Sequence, residues 1–125
     1  MGRLRPEFLS RAKKFSHRVV DVAEALETAR KSRRVVDQLI ACGTSVSANL
    51  FEADEGVSRA DFLKSMGIVN KELRECRFWL EFSGERAWIS IAKLDALLAE
   101  AKELKLIVGS ILSRARKKSP AASVS

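Results

Sequence analysis

Apolar residues recur along the chain at intervals of three and four, the spacing that gathers one face of an α-helix. Four such stretches can be read. The first covers about residues 6–29, with Phe8, Ala12, Phe15, Val19, Val22 and Leu26 on one stripe. The second, about 33–55, carries Val36, Leu39, Gly43, Val46, Leu50 and Ala53. The third, about 58–83, carries Phe62, Met66, Val69, Leu73, Cys76 and Leu80. The fourth, about 90–115, carries Leu94, Leu97, Ala101, Leu104, Val108 and Ile111. The boundaries have signals of their own. Pro6 suits a first helical turn, where its missing N–H costs nothing, and Glu7 faces the positive end of the helix dipole. Ser32 and Ser90 are N-cap candidates, and Ser58 with Asp61 makes a variant of the capping box. Pro120 forbids continuation of the fourth helix, and residues 119–125 are expected to form a disordered tail. Four helices of similar length joined by short loops must alternate in direction. The expected fold is therefore all-α: an antiparallel up-down-up-down four-helix bundle, one domain over residues 1–118.

Composition agrees with one helical core, since 46% of the 125 residues are hydrophobic and only six are Gly and two Pro. No apolar run approaches the roughly 18 residues of a membrane span. Arg11, Lys13 and Lys14 interrupt Phe8, Leu9 and Ala12, so no secretion signal is expected in this stretch; Pro6 stands where a myristoylation motif needs Ser or Thr. The expected compartment is the reducing cytoplasm, which suits two unpaired cysteines. Counting outward from Gly56 sets position 42 opposite about position 70, which leaves Cys76 about 9 Å along the axis from Cys42. That is too far for a disulfide, and both thiols are expected to fill the core. The same count brings Gly43, Gly67 and Gly109 to one level, through close helix approach or the approach of a second subunit.

Phe51, Phe78, Phe82 and Leu106 fall outside the apolar seams. Each would forgo about 1.5–3 kcal/mol of burial in a monomer. They are read as an oligomer interface between copies of this chain.

Catalytic chemistry is missing from the pattern. His17 is the one histidine, no Glu-x-x-His pair or zinc-ligand spacing occurs, and the glycines form no phosphate loop. Glu72, Glu75 and Glu81 alternate with Lys71, Arg74 and Arg77 at ion-pairing intervals. The expectation is a protein that is not an enzyme and takes no cofactor or metal. Charge is more informative: 23 basic against 16 acidic residues give +7, which favours a polyanionic partner. Arg11, Lys14 and Arg18 follow at three and four residues, on one helical face. An antiparallel bundle brings them near Arg114 and Lys118, while Arg30, Lys31, Arg33 and Arg34 gather at the opposite end. Ordinary solubilising charge would give the same residues without a ligand.

The segment Gln38-Leu-Ile-Ala-Cys-Gly-Thr-Ser-Val-Ser-Ala-Asn-Leu-Phe-Glu-Ala53, followed by Ser58-Arg-Ala-Asp-Phe-Leu-Lys64, Asn70-Lys-Glu72 and Glu75-Cys-Arg-Phe-Trp-Leu80, resembles the bacterial 23S rRNA intervening-sequence proteins. It is also similar to the accessory variability determinant of diversity-generating retroelements. The resemblance covers about residues 8–112 and implies a homopentameric ring of bundles. In the retroelement branch it implies a basic surface for nucleic acid and a reverse transcriptase partner. Two positions depart from the pattern: Phe78-Trp79 replaces the usual Tyr-Trp, and Asn70 stands where a small residue is common. The signature residues Ser45, Asn49, Glu52, Ser58 and Asp61 read as structural: Asn49 bonding a neighbouring helix or loop, Glu52 pairing with a nearby base, and Thr44, Ser45 and Ser47 allowing close packing.

Two functions remain open. One is a non-enzymatic, oligomeric nucleic-acid-binding accessory protein that contacts RNA or DNA phosphates and has no membrane partner. The other is a protein-interaction scaffold with incidental basic charge.

Overall fold

The computed structural model describes residues 3–117, which fold into α1 (Pro6–Thr28), α2 (Arg33–Glu55), α3 (Arg59–Glu85) and α4 (Ile91–Lys117). The boundaries lie within two residues of those read from spacing; residues 119–125 and Lys118 fall outside the described residues. Each helix packs on the next in sequence, and α1 and α4 touch less than any of these consecutive pairs. No helix among the described residues is long and apolar enough to cross a membrane.

Local chemistry explains where the helices start and stop. Ser32 and Ser58 cap α2 and α3, their hydroxyls accepting from Val35 N–H and Asp61 N–H. Instead of a side-chain cap, a backbone bond from Lys93 N–H to the Ser90 carbonyl closes the turn before α4. Arg30 N–H and Lys31 N–H donate back to the Glu27 and Leu26 carbonyls, a Schellman ending for α1. Ala87 and Trp88 end α3 in the same way, on Gly84 and Ser83. The left-handed position of this motif usually takes glycine, yet here Arg30 (φ 57°) and Ala87 (φ 60°) occupy it.

The core follows the predicted seams with two shifts. On α1 the seam passes from Val19 through Ala23 to Leu26, so Val22 is only half-buried. On α4 the seam passes from Val108 to Leu112, so Ile111 is only half-buried and turns toward α1. Cys42 and Cys76 are both buried and free, as core fillers should be, but the expected separation is wrong: their Sγ atoms are 3.2 Å apart. Axial counting ignores the tilt of every Cα–Cβ bond toward its helix N-terminus. In antiparallel α2 and α3 those tilts converge and close the offset. The Cys76 thiol is pushed far up in pKa by its hydrogen bond to Cys42 and by burial.

The three glycines do not share one role. A Cβ on Gly43 would stand 2.7 Å from Val19 Cγ1, so α1 and α2 approach closely there, whereas Gly67 and Gly109 face open space. Beside Gly43 the seam is polar: buried Ser16 donates to the Gly43 carbonyl at 2.6 Å, and Ser47 Oγ stands 2.5 Å from Ser16 Oγ and 3.2 Å from the Ala12 carbonyl.

Candidate nucleic-acid interface

The first half of α1 and the last turns of α4 lie at the same end of the bundle, as the antiparallel topology predicts. The Arg11–Lys14–Arg18 stripe, however, is not uniform. Arg11 Nε and Nη2 grip both oxygens of Glu100 at 2.7 and 2.8 Å, and Nη2 also reaches Glu103 at 2.6 Å. These bonds raise the Arg11 pKa further and hold the Glu100 carboxyl below its usual range, chiefly through the hydrogen bond. Arg11 thus clamps α1 to α4. Lys14 and Arg18 are exposed and form no ion pair with the described residues.

At the opposite end Arg33 binds Glu27 and stands 3.7 Å from Asp37, which raises its pKa, mainly through the Glu27 hydrogen bond. Arg30, Lys31 and Arg34 are exposed without an ion pair among the described residues. The Schellman turn fixes the backbone that carries Arg30 and Lys31. Arg114 is likewise exposed and unpaired among these residues. Of the nine basic candidates, two are held by carboxylates and Lys118 lies outside the described residues, leaving six exposed.

Between α1, α4 and the start of α3 lies a feature that the sequence did not announce, a cleft of about 880 Å³. Phe8, Phe62, Ile107 and Ile111 line it as apolar residues, Arg3, Arg5, Arg59 and Arg114 border it, and Glu7 is its one acidic lining residue. Arg3 is held in place: its backbone N–H and that of Leu4 donate to buried Asp54 Oδ1 at 2.7 and 2.8 Å, and its guanidinium lies over Phe62. Asp54 is thus the anchor of the N-terminal segment.

Two signature expectations are corrected. Asn49 does not reach a neighbouring helix; its Nδ2 donates to the carbonyl and hydroxyl of Ser45, one turn back on α2, both at 2.9 Å. Glu52 is exposed and forms no ion pair with the described residues. Its position four residues before Gly56 puts it on the outer face of the last turn. Thr44 bonds back to the Ile40 carbonyl, whereas Ser47 belongs to the close seam as expected. Asn70, one of the two departures from the family pattern, leaves its Oδ1 buried without a hydrogen-bond partner among the described residues.

Of the proposed interface residues, Phe51, Phe78 and Leu106 are 63%, 55% and 66% exposed. Phe82 is not outward as expected, because Trp88 in the α3–α4 loop folds over it with ring centroids 6.0 Å apart. Among the described residues, no group of His, Cys, Asp and Glu could hold a metal ion.

The sequence model of the 23S rRNA-intervening sequence proteins matches residues 6–110. A solved structure of a protein of unknown function from the S23 ribosomal protein family, from Bacteroides thetaiotaomicron VPI-5482, is similar with a TM-score of 0.80 and 28% identity. The similarity covers 84% of this chain and 97% of that one. No curated protein matches. With the family pattern running from the first turn of α1 almost to the end of α4, the chain belongs to the 23S rRNA-intervening sequence protein family.

Proposed function

We propose that this chain is a non-enzymatic, oligomeric accessory protein that holds RNA or DNA by its phosphates. The observation that carries the reading is the sorting of charge. Lys14, Arg18, Arg30, Lys31, Arg34 and Arg114 stand exposed without a carboxylate partner among the described residues, at both ends of the bundle. Such groups gain most from a phosphate, because nothing in the protein has to be given up. The contacts are to phosphate and carry no base specificity.

The exposed apolar residues support assembly. Phe51 borders a groove with Leu9 and Lys13 of α1, while Phe78 borders one with Gln38 of α2. The first groove lies between α1 and α2 and the second between α2 and α3, so the two aromatics belong to different faces. A ring closes by joining two different faces of neighbouring copies, and a homopentamer, the assembly implied by the family resemblance, would repeat each basic patch five times. A reverse transcriptase is the protein partner that the similarity to the retroelement branch adds. A scaffold for another protein is the second reading, favoured by the exposed Phe78 ring packed against Trp79 and Phe82.

The test is a fluorescence anisotropy titration of structured RNA and duplex DNA across salt concentrations, using wild type and the charge reversals K14E/R18E and R30E/R34E. Affinity that falls steeply with salt, and falls again in both variants, supports the proposal. Absent binding at low salt would refute it and favour the scaffold.

A further inference from the structure

We infer that the cleft between α1 and α4 is a binding site for a small amphipathic anion: an apolar body that carries a carboxylate or phosphate. The inference depends neither on nucleic-acid binding nor on assembly.

Three observations converge on that ligand. The cleft, at about 880 Å³, lies within the size range of small-molecule sites, and it opens between α1 and α4, which pack more thinly than the consecutive helix pairs. Its inner surface is apolar, formed by Phe8 and Phe62 from one side and Ile107 and Ile111 from the other. Phe8 and Phe62 are themselves buried, but Ile107 and Ile111 are only half-buried, and the apolar surface they leave in water is a cost that an apolar body would remove. Its border is cationic, and one of its arginines is unsatisfied: Arg59 Nη2 is sealed from solvent and has no hydrogen-bond partner among the described residues. A buried charged donor without an acceptor is costly, and an oxyanion supplies the acceptor once the flexible side chain turns toward it.

The geometry also separates this arginine from its neighbours. Arg11 lines the cleft but is occupied by Glu100 and Glu103, and Arg3 is occupied by the Ser58 carbonyl and the Phe62 ring. Arg5, Arg59 and Arg114 remain to meet the anionic group while its apolar body lies on Ile107 and Ile111. A cation of the same shape would meet repulsion from the border, and a bare anion would leave the apolar surface uncovered.

Calorimetric titration of the full chain with decanoate and with decyl phosphate tests the site, against decyltrimethylammonium and inorganic phosphate as controls. The expected result is one anionic amphiphile per chain, with both controls at least tenfold weaker; the stronger of the two anions identifies the preferred headgroup. R59Q should weaken both by about tenfold. I111W, which fills the cleft and leaves every charge in place, should abolish binding in a protein whose circular dichroism matches wild type. Binding unchanged in both variants, or equal binding of decyltrimethylammonium, would overturn the proposal.

Discussion

The helix α1 has two neighbours and treats them oppositely. Against α2 it packs almost backbone to backbone, because Gly43 offers no side chain and Ser16 and Ser47 bond across the gap. Against α4 it stands off, bridged by the Arg11 clamp on Glu100 and Glu103 and opened beyond that into the arginine-bordered cleft. Short polar side chains can be satisfied only at short range, so they draw helices together. Long guanidinium-to-carboxylate bridges span a distance and prop them apart. The first seam specifies the fold, and the second leaves surface for chemistry.

The largest expected effect breaks the close seam. Gly43→Ala gains the helix propensity of alanine, about 1 kcal/mol, but places its Cβ 2.7 Å from Val19 Cγ1 in a buried position. Overpacking there should win and leave a net loss of about 1–2 kcal/mol by chemical denaturation. A stabilised variant would show that α1 and α2 are not held so tightly.

A smaller effect is expected at the open seam. Arg11→Gln removes a bidentate, partly exposed pair and should cost about 1 kcal/mol at neutral pH. Because Glu100 is held below the usual carboxylate range in the folded protein, its contribution is present above that range and is lost as pH falls through the lowered value. Stability curves of wild type and variant should therefore converge in acid. A gap that persists there would mean that Arg11 acts through packing instead of charge.

The smallest effect is a gain. Gly67→Ala and Gly109→Ala meet nothing within 4 Å, so each should stabilise an isolated bundle by up to about 1 kcal/mol. Destabilisation, accompanied by a lower mass in light scattering, would place a second subunit against these glycines.

The helices and most of the core were legible because burial repeats at a fixed period, and Ser32 and Ser58 declare their caps. What stayed hidden depends on how helices meet across the bundle. The contact of Cys42 with Cys76 needs bond tilt as well as axial position. The partner of Arg11 lies 89 residues away on α4, and no local spacing points to it. Asn49 beside the seam looked like an inter-helix bond, yet Ser45 one turn back satisfied it first. The cleft arises because the α4 seam turns to Leu112 and leaves Ile111 facing α1, a change of one position at the end of a regular pattern.

The central functional claim is that exposed, unpaired bases hold the nucleic acid and paired ones do not. It is tested most directly by the slope of log affinity against log salt for wild type, K14Q, R34Q and R11Q. The slope should become shallower by about one for K14Q and for R34Q, each having lost a phosphate contact, and stay unchanged for R11Q, whose guanidinium is already held by Glu100 and Glu103. A slope that falls in R11Q as much as in K14Q, or no salt-sensitive binding in the wild type, would contradict it.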